Sequence, residues 1–258
     1  MKGKMLIDFI LDSKFLIPLL STAGASLTII ILQSIHKIDV ERKKKLYTVS
    51  YMTDACVRLL QASLIIKNNT IIPHLKASKQ IMAGDNDLLK TMFLADEFDV
   101  LTDDSVNFNN IPEVYKVIIG YDSIEFLQSF EMVLYLYRVE KTKNSFNDFV
   151  KSNLKSELAF HQKSQNERIE ILSTYWDYLD RLSHEEDRVI AFVLYIFLPH
   201  AQKYINRFSF LLYSKKDINK LFNKAKELSA QYKSIIPDTD FFQQSVSGGI
   251  QKIVKDVI

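Results

Sequence analysis

Between residues 15 and 35 the chain carries no ionisable side chain, and no other stretch of that length is free of charge. A helix over those 21 residues spans roughly 31 Å, against about 30 Å for the hydrocarbon core of a bilayer. Pro18 falls in the first turns, where a missing N–H is tolerated, and Asp12 or Ser13 can cap the start. Three other fates compete for such a segment. A cleaved signal peptide would use the small residues Ala23, Gly24 and Ala25, but the apolar run continues beyond them and a basic cluster follows. A buried core helix would suit the Ser- and Thr-containing middle. An interfacial helix would need a charged face, which the segment lacks. The expectation is a single transmembrane helix.

The flanks give it a direction. Lys37, Arg42, Lys43, Lys44 and Lys45 follow the span, and Lys2, Lys4 and Lys14 precede it. Basic residues stay on the cytoplasmic side, so five against three places the C-terminal part inside. The same cluster would lie beside anionic lipid headgroups, at about 1 kcal/mol for each Lys or Arg. Mid-span, Ser21, Gly24 and Ala25 belong to a run of small residues that would let two such helices approach closely, so self-association is an expectation.

Beyond the anchor, 6 Gly and 5 Pro in 258 residues are too few for the turns of sandwiches or barrels. The fold class expected is all-α: one N-terminal transmembrane helix, then an irregular multi-helix bundle. Residues 1–14 form a short tail, 15–36 the transmembrane helix and 37–258 a soluble helical domain. Within that domain, 37–70 continues the anchor helix until Asn68-Asn69-Thr70 stops it. A helix over 72–83 has Pro73 in its first turn and Gly84 past its end. Asp85 caps a helix over 87–94. Residues 96–112 form an acidic, solvated loop, Pro112 opens a helix to Ile119, and Asp122 caps one over 123–139. A single long helix covers 145–183, with Ile169, Leu172, Trp176, Leu179 and Leu182 as its seam. Residues 189–198 are ten apolar residues, too short to cross a bilayer and suited to a central helix. Asp217 caps a helix to about 235, and 238–258 is a C-terminal tail containing Phe241, Phe242, Ile250 and Ile253.

Chemistry is sparsely signalled. Cys56 stands alone, so no intrachain disulfide forms, and it reads as a small buried filler. Residues 46–258 hold 25 of the 33 basic and 27 of the 31 acidic side chains, which argues against nucleic acid as a partner. Glu157 with His161 and Asp180 with His184 each share a helix face at four-residue spacing. Facing one another they could hold a metal. Apart, they are surface ion pairs, and the SHEEDR segment around His184 reads as solvated. No metal, other cofactor or catalytic residue is expected. The expected role is a membrane-anchored cytoplasmic α-helical protein-interaction or signalling domain of a plasma membrane, its partners the bilayer and a second protein. Lys outnumbers Arg 26 to 7, which with abundant Ile suggests an AT-rich bacterial genome. Two other classes stay open: a membrane-disrupting, pore-forming effector, and a metal-dependent enzyme with its site in the bundle.

Overall fold

A computed structural model describes residues 13–98, 101, 119, 122–139, 142–207 and 215–238, with residues 13–25 and 139 described in backbone only. It is all-helical, and no strand occurs among the described residues. The first helix, α1, runs Ser13–Ile66 without interruption. Its 54 residues extend about 81 Å. From residue 26 to residue 40 every residue but Asp39 is exposed, whereas from Thr48 onward the helix enters the bundle. Val49, Met52, Cys56, Leu59, Leu60 and Ser63 are all buried at spacings of three and four, which is one face of a helix.

One expected break and one stretch inside the expected central helix prove to be π-helical turns. Lys67–Ile71 is one, and it leads straight into α2, Ile72–Met82. Val193–Phe197 is the other, leading into α8, Leu198–Arg207. Each is followed two residues later by a proline, Pro73 or Pro199. A proline cannot donate to the carbonyl four residues back, and its ring crowds that carbonyl. The π turns relieve this by pairing Ile72 N–H with Lys67 O and Leu198 N–H with Val193 O, five residues back. Asn68-Asn69-Thr70 therefore does not stop the helix.

Asp85 accepts from Leu88 N–H and starts α3, Asn86–Leu94, as its sequence indicates. Gly84, at φ +106°, makes the left-handed turn that folds α3 back on α2. The acidic connection is less solvated than its composition suggests. Phe98 and Leu101 are buried, and Asn147 grips Leu101 by accepting from its N–H (2.7 Å) and donating to its carbonyl (2.9 Å). Residues 99, 100 and 102–112 of that loop, and residues 113–118 of the helix expected from Pro112, lie outside the described residues. So do residues 1–12 and the tail 239–258.

Helix α4 is Ile124–Val139, and Ser123 rather than Asp122 accepts from a first-turn N–H, that of Phe126. The long helix expected over 145–183 is three. They are α5 Lys143–Asn153, α6 Glu157–His161 and α7 Gln165–Phe192. Two serines cut it: Ser156 accepts from Ala159 N–H, and Ser164 forms a reciprocal capping box with Glu167. Ile169 leaves the seam and is 58% exposed, while Trp176, Leu179 and Leu182 are buried. Helix α9 is Lys216–Gln231, and Asp217 sits in its first turn, pairing with Lys220 instead of capping. Lys216, Lys220, Lys224 and Lys226 lie on its exposed side.

The core has two parts. A proximal cluster gathers residues 49–64 of α1 with α4, the second π turn, α8 and α9. A distal cluster gathers Ile66 and Ile71 with α2, α3, α5, α6 and residues 171–182 of α7. Helices α1 and α7 run through both, so the chain reads outward as projecting helix, proximal cluster, distal cluster.

Candidate functional site

Among the described residues one helix, near the N-terminus, is long and apolar enough to cross a membrane. An 18-residue stretch of it is 67% buried, and packing in the proximal cluster accounts for that stretch. Residues 26–38 are different. Leu27, Ile29, Ile30, Ile31, Leu32, Ile35 and Ile38 are all exposed, a contiguous apolar surface far larger than scattered surface hydrophobics make. Ser34 bonds its hydroxyl to Ile30 O, so this polar side chain is satisfied inside the helix. Ser21, Gly24 and Ala25 lie in the same helix, and their side chains are outside the described residues.

The basic collar follows at the base of the projection. Lys37, Lys43 and Lys44 are exposed and Arg42 is half-buried. Lys45 turns into the bundle, 2.6 Å from Asp122 and 3.3 Å from Glu41. Burial works to lower the pKa of the Lys45 ammonium, but hydrogen bonds to the two carboxylates prevail and raise it. Asp122 also accepts from the Tyr204 hydroxyl at 3.3 Å, and its carbonyl accepts from Arg207 at 3.1 Å. The collar thus divides: most of it faces outward, while Lys45 staples the emerging helix to α8.

Between the two apolar clusters lies a layer of buried charge. Lys67 pairs with Asp187 and donates to Ile235 O at 2.7 Å. Lys143 stands 4.0 Å from Glu186, which is 1% exposed. Glu185 accepts from the Thr142 N–H at 2.7 Å and its hydroxyl at 3.3 Å, at the N-terminus of α5. Within the SHEEDR segment Glu185, Glu186 and Asp187 are therefore an internal layer, while His184 stays exposed. Burial pushes the Asp187 carboxyl up, and the Lys67 ammonium opposes that shift. A layer of this kind adds little net stability, because desolvation offsets most of the attraction. A sequence signal existed. Glu186 continues the seam of Leu179 and Leu182 toward Val189 and Ile190, and Lys67 continues Leu60 and Leu64 toward Ile71.

The two histidine–carboxylate pairs stay on the surface and apart. Glu157 and His161 are 3.6 Å apart, Asp180 and His184 3.7 Å apart, and all four are substantially exposed. Arg168 reaches His161 at 3.5 Å, and His184 lies 16 residues farther along α7, about 24 Å away. Among the described residues no three His, Cys, Asp or Glu side chains cluster as metal ligands would. Cys56 is wholly buried and burial pushes its thiol well up, which suits a packing role. Sequence reasoning passed over His74. Its Nδ1 lies 2.6 Å from the buried Tyr175 hydroxyl, inside an aromatic group with Phe98 and Phe146. Burial lowers the His74 pKa and raises that of Tyr175.

Compared with protein-family models, curated proteins and solved structures, the chain matches none of them.

Proposed function

We infer that this chain is a membrane-anchored α-helical interaction or signalling domain, held by residues 15–35 with the bundle on the cytoplasmic side of a bacterial plasma membrane. One observation carries the inference: the helix runs on past the bundle with its apolar residues 27–38 exposed to solvent, where a bilayer would cover them. The collar of Lys37, Arg42, Lys43 and Lys44 then meets the headgroups, and the Lys45–Asp122 pair holds the bundle close beneath them. The buried charges are spent on one another, which favours binding over catalysis as the bundle's role.

Membrane fractionation tests this. The full-length chain is expected in the membrane pellet after alkaline carbonate washing, and a protease is expected to cut the bundle in inverted vesicles but not in spheroplasts. Leu27→Arg with Ile30→Arg puts two charges near mid-span, at about 2.5–3.5 kcal/mol each, and should release the protein into the supernatant. Recovery of the unaltered chain in the supernatant without detergent would refute the anchor.

A further inference from the structure

At the distal end Trp176 and Arg168 help to line a cleft in which polar and apolar side chains are mixed. A second groove, of about 690 Å³, is more apolar and has one wall of a different kind. Leu194, Leu198 and Phe222 supply its sides from the second π turn, α8 and α9. Ile236, Pro237 and Asp238 complete it, and they belong to no helix. This segment leaves the end of α9 and lies against the proximal cluster, with Ile235 and Ile236 half-buried. Inside it, Ile235 N–H returns to Tyr232 O at 3.0 Å. Two side chains from elsewhere hold it down. Lys67 donates to Ile235 O at 2.7 Å, and the Tyr195 hydroxyl donates to Pro237 O at 2.8 Å. Lys67 belongs to the first π turn and Tyr195 to the second, so both turns grip the same segment. An ammonium has three donors, and Lys67 keeps Asp187 while it holds the carbonyl. A segment tied by side chains opens at lower cost than a helix, whose backbone bonds form and break cooperatively.

We propose that residues 232–238 are a strap, latched by Lys67 and Tyr195, whose release opens the apolar groove beside α8 and α9. The strap moves while the helices stay in place, because its ties are side chains of the two π turns and not the ladder of α9. Lys67 also carries Asp187, so the latch joins the strap to the charge layer between the two clusters. The device lies within the bundle and does not depend on the anchor.

The full-length chain in a non-ionic detergent is digested with trypsin under native conditions. Mass spectrometry times the cut after Lys233, exposed at the start of the strap, against the cut after Lys220, exposed in α9. Tyr195→Phe removes one neutral hydrogen bond and should speed the Lys233 cut about 2- to 10-fold, while the Lys220 cut keeps its rate. Lys67→Met alone leaves Asp187 buried without its partner and unsettles the fold. Lys67→Met with Asp187→Leu removes both charges, yet the Ile235 carbonyl stays unheld. That double variant should keep its stability and still speed the Lys233 cut at least about tenfold, because the lost donor is charged. Ser229→Cys, an isosteric change in the groove wall, reports the opening, since Cys56 is wholly buried. Its reaction with N-ethylmaleimide should quicken several-fold when combined with either release. An unchanged Lys233 cut in either variant overturns the proposal. So does an equal acceleration at Lys220, which would mean that the whole bundle loosens. A faster Lys233 cut with no faster labelling at residue 229 overturns it too.

Discussion

The two halves of α1 are both apolar and are opposite in their surroundings. Residues 27–38 put their Leu and Ile side chains into solvent, while residues 49–64 bury theirs against α4, α8 and α9. The difference lies in how the apolar residues are arranged. In the buried half, Asp54, Arg58 and Gln61 occupy the outward face and leave a stripe. In the exposed half Ile29, Ile30, Ile31 and Leu32 follow one another around the helix, so no single face can hide them. A stripe suits a bundle, and an all-round apolar surface suits lipid.

Paired substitutions in the two halves sharpen that contrast. The largest effect is expected at charge. Lys67→Met strips the partner from buried Asp187 and should destabilise the bundle by about 3–5 kcal/mol in denaturant titration of the full-length chain in detergent. Lys67→Met combined with Asp187→Leu should recover most of that loss, whereas Lys37→Met in the exposed half should change stability by less than about 0.5 kcal/mol. If Lys67→Met behaves like Lys37→Met, the polar layer is not holding the two clusters together. Next comes packing. Leu60→Ala leaves a cavity at a fully buried site and should cost about 2–5 kcal/mol. Leu32→Ala removes the same atoms from an exposed site, and its midpoint should scarcely move. Comparable losses at both positions would mean that residues 26–38 pack on protein after all.

The smallest expected effect is on pH dependence and concerns the distal cluster that α1 reaches at its inner end. Burial holds the folded His74 pKa below its ordinary value of about 6.5, so the unfolded chain takes up a proton first. The contribution of His74 is therefore complete above the unfolded pKa and is lost as pH falls through the folded one. His200 is shifted the same way, by burial and then by Lys203. Stability measured from pH 7.5 downward should decline through this window, and His74→Gln should make the decline shallower whatever it does to the absolute level. An unchanged slope would show that His74 does not titrate on unfolding.

Much of the local structure was legible because its causes are local. The Pro73–Gly84 bracket, the Asp85 cap and the seam through Trp176, Leu179 and Leu182 each follow from a few neighbouring residues. Errors arose where a local rule had a competitor. Asn68-Asn69-Thr70 looked like a stop, but Lys67 found Asp187 120 residues away and the helix went through as a π turn. Asp122 looked like a cap, but Lys45 and Tyr204 claimed its carboxylate and left Ser123 to accept from Phe126 N–H.

The sequence alone determined that the chain is helical and that one helix near its start suits a bilayer, because both rest on composition and on periodicity within a single segment. Only the tertiary structure decided which charges are buried, that the two histidine pairs stay on the surface, and that Trp176 and Arg168 line one cleft. Those outcomes depend on which faces meet across distant parts of the chain, and spacing along one helix does not encode the partner that another helix brings.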